Sequence, residues 1–313
     1  MNNIKKIGLT ALAGSLVAGS AYAAEMSVSG SASLTFSGGD DKSVPGQGWT
    51  MGDSLTFTAS GDVNDIGVSL SYELDGQGAA IDTVDDHSMT LDFGDAGTLQ
   101  FSGHGGSSAM GSVDDVVPNA YEESWDVVSG ADGAVINGHG GDNIFRYTYN
   151  HDSGVKAVVT YLNAADAVSD VSTTAYNVEY TGVDGLRVGY AQQDTEQTTG
   201  EQADEMTMYA TYAMGGFTVG IQTSEKDREN GSTNDTESTS MGITYQVNDD
   251  MSVGYHTTSI EYNSGEDQES SGVSASYTMG SMEIGGAMNS VDNIANSSAN
   301  DRSAYELNIA FNF

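Results

Sequence analysis

Cysteine is absent from the 313 residues, which removes disulfide frameworks and thiolate metal sites at the outset. Proline occurs twice, and Lys plus Arg number 9 against 45 Asp plus Glu, for a formal charge of −36. A chain this acidic repels phosphate backbones, so nucleic acid is excluded as a partner. It attracts cations instead. No stretch approaches the ~18 consecutive apolar residues of a membrane-crossing helix. The histidines at 87, 104, 139, 151 and 256 show no H-E-x-x-H spacing. There is no G-x-S-x-G elbow and no G-x-x-x-x-G-K phosphate loop. Asp is too common for a Ser, His, Asp grouping to carry information, and the chain reads as a non-enzyme.

What the chain has is alternation. Forty glycines and sixteen tyrosines, with little to build long helices, indicate an all-β protein with many turns. The clearest stretch is the last one, where Tyr305, Leu307, Ile309, Phe311 and Phe313 alternate with Glu306, Asn308, Ala310 and Asn312. A period of two with one apolar, aromatic face is a strand. Near the other end, Met26, Val28, Ala32, Leu34 and Phe36 alternate with serines and Thr35. The same rhythm predicts sixteen strands. Their connections alternate strictly between tight turns (62–65, 94–97, 151–154, 182–185, 248–250) and longer loops (38–48, 75–85, 194–204, 224–236). The longest interruption runs from 104 to 142. Ahead of the first strand, Lys5 and Lys6, an apolar run over 7–18 and Ala21-Tyr22-Ala23 read as a signal peptide over 1–23, leaving 24–313 as the mature chain.

Alternating long and short connections are what an up-and-down transmembrane barrel produces. An even strand number puts both termini at the tight-turn end, so the first strand can pair with the last and leave no open edge. Each strand would show its apolar face to lipid and its polar face to a watery interior. Tyr72, Tyr149, Tyr161, Tyr180, Tyr190, Tyr212 and Tyr277 fall near strand ends, as in an aromatic girdle, although cross-strand packing in a soluble sheet would also use them.

These features resemble the general porins of Gram-negative bacteria, which are sixteen-stranded trimeric barrels. The terminal strand is similar to the closing strand and assembly signal of that class, carried here by Tyr305, Phe311 and Phe313. The resemblance covers nearly the whole mature chain and rests on strand pattern and the final Phe. It implies an outer-membrane location, short periplasmic turns, long external loops, and a third loop, 104–142, that folds inward and narrows the pore. It further implies a homotrimer with one pore per subunit, outer-membrane lipid and the β-barrel assembly machinery as partners, passive diffusion of small hydrophilic solutes, and no cofactor. On that reading Asp114, Asp115, Glu122, Glu123 and Asp126 put negative charge beside the constriction, and carboxylate clusters favour cations in a narrow pore. Porins of this family set a basic cluster on the opposite wall, but the first four strands here carry no Lys or Arg, and the departure implies a bias towards cationic solutes. The remaining wall bases are Arg146, Lys156 and Arg187, on the polar phase of strands six, seven and nine. Arg146 would sit near mid-height, and the other two near the periplasmic mouth.

Other readings stay open at this level. The acidic loop could remain outside as a solvated segment. The acid-rich stretches 82–86, 194–205 and 225–237 offer oxygen ligands to calcium, but none has D-x-D-x-D-G spacing, and solvated loops explain them as simply. The run Asn137-Gly-His-Gly-Gly-Asp142 occurs once, whereas a calcium roll needs tandem copies. A barrel acting as a calcium- or lipopolysaccharide-binding surface or adhesion protein is the alternative function. A secreted soluble acidic β protein and a lipase barrel without a credible Ser and His pair come behind it.

Overall fold

The computed structural model describes residues 25–40, 48–77, 80–133, 135–136, 138–164, 171–197, 202–228 and 235–313. The expected signal peptide, 1–23, lies outside them. Sixteen strands follow in order: β1 (Glu25–Gly39), β2 (Gly48–Val63), β3 (Ile66–Gln77), β4 (Ala80–Asp92), β5 (Thr98–His104), β6 (Ile144–His151), β7 (Val155–Ala164), β8 (Val171–Val183), β9 (Leu186–Gln197), β10 (Ala203–Met214), β11 (Phe217–Arg228), β12 (Thr236–Asn248), β13 (Met251–Tyr262), β14 (Gln268–Met279), β15 (Met282–Asp292) and β16 (Arg302–Asn312). Each pairs antiparallel with its sequence neighbours, and β1 pairs with β16 to close the barrel. At the seam Gly30 N–H donates to Phe313 O at 2.8 Å and Phe313 N–H donates to Gly30 O at 2.9 Å. Closure follows from the solvent, because an open edge in hydrocarbon leaves backbone groups unpaired at several kcal/mol each.

The two faces of the wall differ as the alternation requires. Val28 is 60% exposed, Met214 and Met288 are each 66% exposed, and Phe313 is 71% exposed. Large apolar side chains left this bare over a whole barrel need lipid to cover them. Inward positions carry hydroxyls that bond across strands, as Ser31 to Ser54 at 3.0 Å, Ser240 to Thr258 at 2.7 Å and Ser252 to Ser276 at 2.8 Å. The tight turns are built from residues that accept positive φ: Asn64 at 52° and Asp65 at 64° join β2 to β3, the conformation a two-residue hairpin needs.

The upper connections differ from the sequence reading. Residues 75–85 belong largely to β3 and β4, while β9 and β10 take in 194–197 and 203–204, and β11 and β12 take in 224–228 and 236. Most of the acids taken as loop ligands for calcium are therefore strand residues. Apolar alternation stops where lipid stops, but the backbone ladder continues beyond it. In the cross-strand register Asp194 faces Asp204, Asp204 faces Asp227, and Glu225 faces Glu237.

Candidate functional site

The connection between β5 and β6 does not stand away from the barrel. Its two ends are joined by paired backbone bonds between Gly106 and Gly141, at 3.0 and 2.7 Å, and by His104 Nδ1 against Asp142 Oδ1 at 2.5 Å. Between those ends the loop runs across inward-facing side chains of successive strands. Ala109 N–H donates to Thr160 Oγ1 of β7 at 2.9 Å, and Asn177 of β8 donates to Ala109 O at 2.9 Å. Gln222 of β11 accepts from Val116 N–H at 3.1 Å and donates to Val113 O at 2.8 Å. Gln268 of β14 treats Asp132 the same way, accepting from its N–H at 2.9 Å and donating to its O at 2.7 Å. Each amide thus stands in for a strand neighbour, satisfying loop backbone groups that no ladder reaches. Ala120 N–H donates to Ser274 Oγ at 3.1 Å, Ser124 N–H donates to His256 Nδ1 at 3.3 Å, and Asn289 Nδ2 donates to Glu123 O at 2.5 Å. On β16, Tyr121 O–H donates to Glu306 Oε1 at 2.6 Å and Arg302 donates to Ser129 O at 2.6 Å.

Part of the loop's underside is apolar. Ala109, Met110, Val113 and Ile136 are buried against Val158, Ala175, Ala191 and Tyr209, which lie on the inward phase of β7 to β10. The watery interior expected from the alternation is interrupted here, because over β7 to β10, four of the sixteen strands, the inner wall beneath the loop is a small hydrophobic core. Trp125 packs edge-on to His256, with ring centroids 5.3 Å apart.

The five acids named from the sequence lie on this loop. Asp115 and Asp126 are exposed, and Asp114, Glu122 and Glu123 are half-buried. Oxygens of Glu122, Glu123 and Asp126 come within 4.8 Å of one another, and the three could each offer one ligand to a hard cation. Asn119 donates to Glu123. Burial, and then the charge of Asp115, push Asp114 up to about 7. Burial, and then the neighbouring Asp126, push Glu122 to about 7 and Glu123 to about 9. The cause is the same throughout, since desolvation and like charge both disfavour the ionised form.

The three wall bases are placed differently. Arg146 lies on the inward phase of β6 and donates to Ser107 O at 3.4 Å. Lys156 lies opposite Glu179 in the cross-strand register. Arg187 Nε meets Glu179 Oε2 at 2.5 Å, with its guanidinium 5.1 Å from the Tyr209 ring centroid. Lys156 and Arg187 are each the second residue after a tight turn. A further base, Lys226, meets Glu205 at 2.8 Å, with the two side chains 15% and 4% exposed. Gln193 holds the other Glu205 oxygen at 3.0 Å and accepts from His139 N–H, tying the end of the loop to the same pair. Replacing Lys226 with Met is expected to cost about 3–5 kcal/mol by leaving Glu205 buried and uncompensated. Denaturant unfolding in detergent checks this, with the double change Lys226→Met, Glu205→Gln recovering most of the loss.

Among the described residues, none of the three ion pairs, His104–Asp142, Arg187–Glu179 and Lys226–Glu205, includes the five loop acids. Strands β1 to β5 contain no Lys or Arg. The residues that hold the loop, above all Gln222, Gln268, Asn289 and His256, were not singled out from the sequence. A usable signal was present in apolar residues on the polar phase, Val158 and Leu162, and in glycines on the polar phase of β11 to β15. Tyr305 and Phe311 lie on β16, where Tyr305 pairs with Gly38 and Phe311 with Ala32 in register, and Phe313 pairs with Gly30.

A closed sixteen-stranded antiparallel barrel with an apolar exterior defines a class, the transmembrane β-barrels of outer membranes. The family model described as Gram-negative porin matches residues 8–313. The chain belongs to that family, and it is a channel protein of the outer membrane. Solved structures agree on the fold. An anion-selective porin from Comamonas acidovorans is 13% identical, with TM-score 0.72, covering 93% of this chain and 100% of that one. The trimer form of in-vitro folded OmpT, an outer membrane protein of Vibrio cholerae, is 16% identical, with TM-score 0.68 over 93% and 99%. A further porin is 17% identical, with TM-score 0.70 over 92% and 100%. No curated protein matches the chain in sequence.

Proposed function

We propose that the protein is a cation-preferring channel for passive diffusion of small hydrophilic solutes, and that the loop 104–142 forms its constriction. One observation carries the reading: Asp114, Asp115, Glu122, Glu123 and Asp126 share one loop on the inner wall, while β1 to β5 contribute hydroxyls and carboxylates and no Lys or Arg. Arg187 and Lys226 are paired with carboxylates and Arg146 donates to Ser107 O, so the five loop acids outnumber the wall bases Arg146, Lys156 and Arg187 and set the sign of the field that a solute meets. The anion selectivity of the Comamonas porin does not carry over, because at 13% identity the likeness concerns the backbone. A homotrimer, by analogy with the trimer form of OmpT, and removal of residues 1–23 on export complete the proposal. Liposome swelling tests it. Lysine amide and other small cations should enter faster than neutral solutes of their size, and glutamate slower; equal rates for all three would remove the charge mechanism.

The raised carboxyl pKa values give the channel a pH dependence. A group whose proton leaves near 7 or 9 is neutral at lower pH, so Asp114, Glu122 and Glu123 add negative charge only as pH climbs through that window. Cation preference should therefore be weakest in acid and keep growing up to about 9. Carboxylates of ordinary pKa would already be fully ionised well below neutrality. Zero-current potentials recorded across a pH series distinguish the two, and a flat profile above mildly acidic pH would count against the burial described.

A further inference from the structure

Five consecutive strands each carry a glycine facing into the barrel under the loop: Gly220, Gly242, Gly254, Gly272 and Gly285. Gly220 and Gly242 are direct cross-strand partners. Glycine in a strand interior loses packing and adds chain entropy in the unfolded state, so it needs a reason. Backbone conformation does not supply one, because none of the five has a positive φ. Space does. A Cβ on Gly220 would overlap the ring of Pro118, and one on Gly242 would overlap Pro118 O and stand 2.7 Å from Val117 Cγ1. On Gly254 it would stand 2.9 Å from Ala120 N; on Gly272 it would overlap Asn289 Oδ1 and lie 3.1 Å from Ser124 Cα; on Gly285 it would overlap the Tyr121 ring. By contrast, inward Gly52 on β2 would meet only Ser33 Oγ, at 2.9 Å.

We propose that these glycines form a recessed seat on which residues 117–124 lie, and that the seat sets how far the loop and its carboxylates stand out into the pore. They are positioning residues for conductance and charge preference. The proposal rests on the channel reading for its functional consequence, but the seat itself is a statement about contact and can be read without any current. Residues Glu122 and Glu123 follow directly on the seated Ala120 and Tyr121, so lifting the loop moves them as well. At Gly220, Gly242, Gly254 and Gly285 the added atom would meet ring or backbone atoms, which a close-packed wall cannot easily move aside. At Gly272 the nearest group is the Asn289 side-chain amide, with Ser124 Cα behind it.

The absence of cysteine makes a clean test. Ala120→Cys with Ser274→Cys, whose backbone N and Oγ are 3.1 Å apart in the native residues, should form a disulfide readily in otherwise unaltered protein. Adding Gly242→Val or Gly254→Val should slow or abolish that cross-link, whereas adding Gly52→Val should leave it intact. In planar bilayers the seat variants should lose single-channel conductance, valine more than alanine, with a changed zero-current potential. Gly220→Ala with Pro118→Ala should recover conductance or assembly lost in Gly220→Ala alone, because the obstructing ring is gone; a barrel merely weakened by losing glycine would not be rescued. The proposal is overturned if the cross-link forms as fast in the seat variants as without them, or if Pro118→Ala gives no recovery. A protein that cross-links as described yet carries no current would support the seat and refute the channel reading, so the two failures are separable.

Discussion

Changing Asp114, Asp115, Glu122, Glu123 and Asp126 together to their amides is expected to abolish cation preference in planar bilayers while leaving the channel open. A unit charge ~4 Å away is worth about 1 kcal/mol in bulk water and about 4 kcal/mol at the effective dielectric near a protein surface. Since ~1.4 kcal/mol is tenfold in a ratio, the cation-to-anion permeability ratio measured above pH 9, where Asp114, Glu122 and Glu123 have lost their protons, should fall at least about tenfold in the five-amide variant. Amides preserve size and hydrogen-bonding capacity, so the loop keeps Gln222, Gln268 and Asn289 as partners and conductance in concentrated salt should change little. The exposed turn residues Asp249 and Asp250, between β12 and β13, serve as the comparison. Their amides should leave the ratio unaltered. A ratio that responds equally to both sets would mean that net charge, and not the loop, sets preference.

Removing Phe313 is expected to have the largest effect on assembly. Its backbone makes both hydrogen bonds to Gly30 that extend the β1–β16 seam, at 2.8 and 2.9 Å, and its side chain is 71% exposed on the outer face. Deleting it leaves Gly30 N–H and C=O unpaired in hydrocarbon, where each lost bond costs several kcal/mol. Folded, heat-modifiable protein in the outer membrane should drop to a trace. Phe313→Tyr should assemble close to normally, because it keeps both backbone bonds and an aromatic side chain, whereas Phe313→Asp keeps the bonds and puts a charge against lipid. Equal amounts of folded protein from the deletion and from the native chain would show that the seam closes without its last residue.

The sequence carried the barrel almost completely, for a physical reason. Lipid on one side and water on the other force every spanning strand into a period of two, and residues such as Tyr305, Leu307, Ile309 and Phe311 record it directly. Turns were equally legible where backbone conformation restricts the residue, as at Asn64 and Asp65. Strand ends above the lipid were not, because Asp194, Asp204, Glu225 and Glu237 face water on either side and no alternation marks them. The loop acids could be named, but their burial could not be foreseen. That depends on what lies beneath the loop, and the partners that hold it, Gln222, Ser274 and Asn289, come from strands separated from it by 106 to 166 residues. The glycines of β11 to β15 carry no mark of their role in the sequence, because it depends on the contact with Pro118, Ala120 and Tyr121.

The proposed channel is an open passage bounded by loop carboxylates, with no Lys or Arg on strands β1 to β5. The zero-current potential of the native protein in a planar bilayer, under a potassium chloride gradient at alkaline pH, tests it most directly. A stable ohmic current is expected, with its zero-current potential on the potassium side. A potential on the chloride side, or a folded barrel that passes no current, would contradict it.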